Sequence, residues 1–289
     1  MILVTGATGQ LGRSVVEALL NQIPADQIAV LVRDEAKATT LREQGVSIRV
    51  GSYDDTASLE RAMQGIDRVL LIAGTDEEKR VEQHRNVIRA AKQAGVSCLA
   101  YTSRTLKDRT TMVNKLMEGH FQTEEDLQAS GLGYAIFRNV LYMDTLVFYV
   151  GERGLKHGFR LPTGQGRVAY ALRSEMGEAL ANWLVSGPCE NKIYKLTGSE
   201  ASSFDDVARV LTELTGNQVT YTPVEDAEFE AQLKARGVPE TLIPRYLGFQ
   251  TDIKNGQEDE TTAELAQLLE RRPATLREGL KVLFSTALV

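Results

Sequence analysis

Cysteine is scarce in this chain of 289 residues, with only Cys98 and Cys189. Neither shows CxxC or metal-ligand spacing, so both are read as reduced, structural thiols. Histidine is also rare. His84, His120 and His157 lack ligand spacing, and no metal is expected. Long hydrophobic runs are missing too: no apolar stretch approaches the roughly 20 residues that a membrane span needs, and no basic and apolar leader opens the chain. A cytoplasmic protein with no membrane partner is expected. Positive charge is in deficit, with a net charge of -6 and no Lys/Arg run, which argues against a nucleic-acid partner. Neither an internal repeat nor a long low-complexity segment is present.

What the chain does have stands at its start. Gly6, Thr8, Gly9, Gln10, Leu11 and Gly12 follow the apolar run Met1 to Val4 and precede the helical pattern Val15, Val16, Leu19, Leu20. A strand, a glycine turn and a helix in that order suit a dinucleotide pyrophosphate. Glycine lets the backbone approach the phosphates, and the first amides of the helix then point at the anion. The second strand, Ile28 to Val32, ends at Arg33, about 20 residues on, where an acid would serve the ribose hydroxyl of NAD. Arg33 instead offers a planar fork suited to a 2′-phosphate, with Lys37 one turn further. NADP(H) is therefore expected over NAD(H), although Asp34 stands beside the arginine.

Strand patterns at Ile2 to Thr5, Ile28 to Val32, Ser47 to Val50, Arg68 to Ile72, Cys98 to Thr102 and Tyr134 to Phe137 alternate with helical ones at 10–22, 35–44, 56–64, 78–94 and 114–130. Such alternation predicts an α/β, Rossmann-type doubly wound parallel sheet with ligands at the carboxyl ends of its strands. After Arg138 the rhythm changes. Residues 1–150 are read as the dinucleotide-binding unit and 151–289 as a smaller, mostly helical lobe, with later segments expected to return to the first unit. Gln250 to Thr261, the most polar stretch, reads as an exposed loop.

An ordered set of motifs resembles the NmrA-like atypical short-chain dehydrogenases: Thr5 to Gly12, Gln83 to Val87 with Ala90 to Val96, Tyr101-Thr102-Ser103, His120 to Glu124, and Phe137-Arg138-Asn139 with Tyr142. The similarity is greatest to the bacterial quinone oxidoreductase and triphenylmethane reductase group. It implies a pyrophosphate on Gly6 to Gly12, a 2′-phosphate on Arg33, and adenosine and ribose beside Ala73 and Gly74. The nicotinamide ribose would sit near Tyr101, Thr102 and Ser103. Arg138, Asn139 and Val140, after the sixth strand, would pass beside the nicotinamide and open with Tyr142 on to the acceptor cleft. Thr75 to Val81 and Arg104 to Val113 depart from the relatives, and the second of these is expected to line the pocket.

One pairing is absent. No tyrosine has a lysine four residues later, so proton delivery to a carbonyl by the usual short-chain dehydrogenase route is disfavoured. Quinones and cationic dyes need less help, because hydride gives a delocalised product and solvent can supply the proton. His120, four residues before Glu124 on one helix face, is a candidate proton donor beside Lys115; a helix-surface pair is the competing reading. His84 is read as structural. Tyr142, Met143, Phe148 and Tyr149 could stack on a flat acceptor, with Phe148 favoured as core and Tyr142 as the pocket residue. The enzyme expected is an NADPH-dependent reductase of a quinone or similar conjugated acceptor. The alternative is a redox sensor that binds the dinucleotide and acts through a protein partner. A homodimer is compatible with the sequence.

Overall fold

Runs of four to seven residues with little polarity recur between amphipathic segments, and in the computed structural model they become strands of one sheet. Residues 1–285 are described, apart from the side chain of Leu116. The strands are β1 (Ile2–Thr5), β2 (Ile28–Val32), β3 (Ser47–Val50), β4 (Arg68–Leu71), β5 (Cys98–Arg104) and β6 (Gly133–Asn139). Between them lie α1 (Gln10–Leu20), α2 (Thr39–Glu43), α3 (Thr56–Ala62), α4 (Arg80–Gln93) and α5 (Glu118–Ala129). After α6 (Thr145–His157), β7 (Phe159–Leu161), β8 (Arg167–Val168) and α7 (Arg173–Ser186), the strand β9 (Lys192–Leu196) rejoins the sheet. Its order is β3-β2-β1-β4-β5-β6-β9, parallel throughout. The chain winds outwards from β1 in one direction and then from β4 in the other. That reversal opens a crevice above the carboxyl ends of β1 and β4.

Alternation along each strand sorts the core into two layers. Val4, Val30, Leu70, Ala100 and Phe137 pack towards α1 and α7, whereas Leu3, Ala29, Leu31, Val69, Leu99 and Ile136 pack towards α3, α4 and α5. Each buried Val, Leu, Ile or Phe side chain among them contributes about 1.5 to 3 kcal/mol through burial. α1 and α7 approach closely because Gly177 faces Ser14, where a Cβ would come within 2.5 Å of the serine Cβ. Trp183 of α7 is buried, edge-on to Phe137, and is core.

The remaining elements lie outside the seven-stranded sheet. They are β10 (Ser202–Ser203), α8 (Phe204–Thr215), β11 (Tyr221–Pro223), α9 (Asp226–Ala235), α10 (Ile243–Lys254), α11 (Glu264–Leu269) and α12 (Leu276–Leu283). β7 pairs in parallel with β11, and β8 pairs antiparallel with β10. α11 returns to pack on α7.

Several expectations need correction. Cys98 and Cys189 form a disulfide. The segment linking α7 to β9 runs beside the start of β6, and glycine at 133 leaves room, since a Cβ there would lie 2.7 Å from Cys189 Sγ. A separation of 91 residues hid the pairing. Gln250 to Thr261 is no exposed loop: Gln250, Asp252, Gln257 and Glu258 are buried, with Glu258 binding Arg104 at the end of β5 and Gln257 binding the segment after it. β6 runs to Asn139, so Arg138 and Asn139 lie within the strand rather than after it. The helix expected over 114–130 is a short 3-10 turn, Lys115–Met117, followed by α5. Phe148 is not core. It is more than a third exposed, stacked on Tyr246 with Arg236 over its face.

Candidate functional site

The turn between β1 and α1 is compact because glycine makes it so. Gly6 adopts φ +60°, the Gly9 N–H donates to the Gly6 carbonyl at 2.9 Å, and a Cβ on residue 12 would lie 2.3 Å from that carbonyl. Gly9 is the N-cap of α1 and no side chain caps the helix, so the amides of its first turn, Gln10, Leu11 and Gly12, have no side-chain acceptor. A helix start of this kind presents donors and a positive dipole end to an anion. The Arg13 guanidinium steadies the loop by donating to the Thr8 carbonyl at 3.2 Å.

A groove of about 380 Å³ runs from this turn along the strand ends. Gly6, Thr8, Gly9, Arg33, Ala73 and Gly74 line it, together with residues 51–54, Asp76 and Gln83. Arg33 is exposed at its rim. The neighbouring Asp34 turns its carboxylate to its own backbone, accepting from the Ala36 N–H at 3.0 Å as the cap of a short 3-10 helix. Lys37 lies on that 3-10 helix, exposed and away from the groove lining. With Asp34 engaged, the rim offers the arginine's cation to whatever the groove holds.

The far wall is held by a chain of polar contacts. The Ile72 N–H donates to Thr5 Oγ1, the Ala73 N–H to Thr102 Oγ1 and the Gly74 N–H to His84 Nε2, each at 3.0 Å. The Tyr53 hydroxyl donates to the Ile72 carbonyl and shares a second bond with Thr5, and Arg80 Nε donates to the Gly74 carbonyl. Since His84 Nε2 accepts, its proton sits on Nδ1 and is given to Thr123 Oγ1, which itself donates to the Gly119 carbonyl. Burial, with help from Arg80, lowers His84 to about 3, so the ring stays neutral and this tautomer holds at neutral pH.

Behind this wall the expected residues separate. His120 and Glu124 share a face of α5 but are buried and do not pair, which removes the surface-pair reading. His120 Nδ1 meets the Tyr101 hydroxyl at 2.9 Å. Burial and the nearby Arg80 and Arg104 hold His120 well below the usual histidine range, so it carries no second proton to give at neutral pH. Glu124 accepts from Ser103 Oγ at 2.5 Å and from Arg138 at 2.6 and 3.0 Å, tying β5 to β6. Asn139 Nδ2 donates to the Tyr142 hydroxyl at 3.1 Å, and Arg173 lies over the Tyr142 ring. Val140 is fully buried, its N–H bound to the Leu196 carbonyl.

Lys115 faces a second cleft, of about 460 Å³, shared with Glu77, Asn114, Arg245, Gly248 and Thr251. Asp76 lines the first groove and Glu77 the second, so the two meet at the loop before α4. An Arg245–Glu77 ion pair at 3.2 Å joins α10 to that loop. Tyr53, Arg13 and the buried Arg104–Glu258 pair gave no recognisable signal in the sequence. Each acts through a partner far along the chain, or through backbone that only the fold positions.

A parallel sheet, a glycine turn at its switch point and a cleft beyond the strand ends are shared by many proteins, and comparison with known ones narrows the choice. The NmrA-like family model matches residues 1–278. The chain belongs to the NmrA-like family. Within that family it is 37% identical to quinone oxidoreductase 2 of Escherichia coli over 286 residues, covering 99% of each chain. Its fold superposes on the NADPH-dependent quinone oxidoreductase from Escherichia coli complexed with NADPH with a TM-score of 0.90, over 98% of this chain and 100% of the other, at 37% identity. The Citrobacter sp. triphenylmethane reductase complexed with NADP(H) gives a TM-score of 0.91 at 34% identity, over 98% and 100%. No helix of this NmrA-like protein, among the described residues, is long and apolar enough to cross a membrane.

Proposed function

We propose that this NmrA-like protein is an NADPH-dependent oxidoreductase that reduces a quinone or a similarly conjugated acceptor. The observation that carries the reading is the groove itself: an uncapped helix start behind a glycine turn, with Arg33 free at the rim and Asp34 turned away. NADPH, when bound, supplies the hydride. Gly6 to Gly12 would hold its pyrophosphate against the first turn of α1, and Arg33 would take the 2′-phosphate, a charge-assisted contact that NADH cannot make. Ala73 and Gly74 are small at a strand end whose amides are already bound, which leaves a flat, fixed wall for the ribose. Tyr101, Thr102 and Ser103 shape the sheet behind it, and Thr102 does so directly by holding the Ala73 N–H.

The acceptor would enter from the second cleft, between the loop before α4, the segment after β5 and α10. Lys115 and Arg245 line that entrance, while Arg138 and Asn139 stand at the end of β6, where Asn139 holds the Tyr142 hydroxyl. With His120 neutral and no Tyr/Lys pair, the protein's contribution is placement of donor and acceptor. Two of the relatives, the quinone oxidoreductase and the triphenylmethane reductase, are reductases, which favours turnover over sensing.

The test is consumption of NADPH and of NADH by the purified protein with a panel of quinones and cationic dyes. Turnover with NADPH preferred is expected. Tight NADPH binding without turnover on any acceptor would assign the protein to the sensor class.

A further inference from the structure

β5 and β6 end side by side, with Arg104 opposite Asn139 at the carboxyl edge of the sheet. Four buried polar atoms there lack a hydrogen-bond partner: Arg104 Nε, Thr105 Oγ1, Asn139 Oδ1 and Glu258 Oε2. Buried polar groups are nearly always paired, so a cluster of unpaired donors and acceptors marks a place where another molecule completes the bonding. Glu258 reaches this edge from the segment after α10. Its Oε1 accepts from Arg104 Nη2 at 2.8 Å. The Arg104 guanidinium also lies over the Phe249 ring, and its side chain keeps 13% exposure against 1% for Glu258. Arg104 is thus the member that faces outwards.

We propose that Arg104 meets the negative charge that develops on the acceptor oxygen, and that Glu258 is a positioning residue which aims the guanidinium and sets its effective charge. The inference rests on the reductase reading above. As hydride passes from the reduced nicotinamide, a C–H bond there breaks and a bond to hydrogen forms on the acceptor. The electron pair displaced in the acceptor comes to rest on its carbonyl oxygen. The nicotinamide is oxidised, the acceptor is reduced, and a proton from solvent completes the quinol. Arginine N–H groups fixed at that oxygen before reaction stabilise the charge without reorganising.

Glu258 makes this stabilisation pH-dependent. The charged and titratable groups facing it are Arg104 from β5, Asp252 from α10 and Tyr170 from the turn before α7. Burial outweighs Arg104 and pushes the Glu258 carboxyl up to about 7. When the carboxyl is protonated, Arg104 keeps its full positive charge for the acceptor; when it ionises, it neutralises the guanidinium. The rate of acceptor reduction therefore falls as pH rises through about 7.

Two measurements on the parent, Glu258→Gln and Arg104→Met test this. In the first, kcat with NADPH and a quinone is followed across the neutral range. The parent is expected to lose rate towards alkaline pH, Glu258→Gln to lose that dependence and stay near the acid-side rate, and Arg104→Met to lose kcat on the order of 100-fold with KM for NADPH unchanged. In the second, infrared difference spectra of the cofactor-free protein should show a protonated carboxyl band that disappears near neutral pH in the parent and is missing from Glu258→Gln. Glutamine keeps the size of the side chain and an acceptor for Arg104, so the decision does not hang on how Arg104→Met folds. A Glu258→Gln variant with the parent's pH profile or carboxyl band, or a folded Arg104→Met with the parent's kcat, overturns the inference. Absence of turnover in the parent on every quinone and dye of the panel removes the reductase reading and this inference with it; turnover in the parent with an unchanged Glu258→Gln removes the inference alone.

Discussion

Two regions at the carboxyl edge of the sheet differ in how their polar atoms are used. Along the wall of the cofactor groove the backbone amides of Ile72, Ala73 and Gly74 are each bound to a side chain from another element. At the ends of β5 and β6, one or two strands away, Arg104, Thr105, Asn139 and Glu258 each leave a buried atom unpaired. A satisfied wall is rigid and indifferent to what lies against it apart from shape, which suits a cofactor of fixed geometry. An unsatisfied cluster can take up new partners, which suits the role proposed for Arg104 towards the acceptor.

The largest effect expected within that comparison is at the glycine turn. In Gly12→Val a Cβ would have to occupy space 2.3 Å from the Gly6 carbonyl and 2.7 Å from the Ala7 Cα, so the loop must open. NADPH affinity measured by calorimetry should fall at least about 100-fold, equivalent to about 3 kcal/mol. Retained affinity would show that the loop does not carry the phosphates.

Arg33→Ala should come next. Removing one charge-assisted phosphate contact costs about 1.5 to 3 kcal/mol, so NADPH should weaken roughly 10- to 100-fold while NADH changes little. An equal loss for both cofactors would take Arg33 out of the 2′-phosphate role.

The smallest effect concerns the neutral histidine behind the wall. His84 is lowered to about 3 in the folded state, whereas the unfolded chain takes up its proton near the ordinary 6.5. The stability this gives is complete above pH 6.5 and is lost as pH falls towards 3. By pH 5 the loss is about 2 kcal/mol. Thermal melts from pH 7 down to 5 should show Tm falling, and His84→Asn should flatten that slope while starting from a less stable protein at pH 7. An equally steep slope in the variant would place the acid sensitivity elsewhere.

The same contrast explains what could be read from the sequence. The glycine turn, the strand that ends at Arg33 and the alternation that builds the sheet are local patterns, each set by backbone sterics or by periodicity within a few residues. They were legible. The stretch around Glu258 was not, because a run of Gln, Glu and Asp has the composition of a solvated loop until Arg104, some 150 residues earlier in the chain, accepts it as a buried partner. Cys98 and Cys189 escaped for the same reason, as did the neutral state of His120, which depends on burial and on Arg80 and Arg104. Tyr53 carries no motif at all; it matters because the end of β3 delivers its hydroxyl to Thr5 and Ile72.

The most direct test of the central assignment is an anaerobic single-turnover experiment in which protein preloaded with NADPH is mixed with one equivalent of a quinone. Bleaching of the reduced nicotinamide absorbance with one quinol formed per cofactor oxidised is expected, with NADH reacting only at much higher concentration. A stable NADPH complex that leaves the quinone unreduced would contradict the assignment.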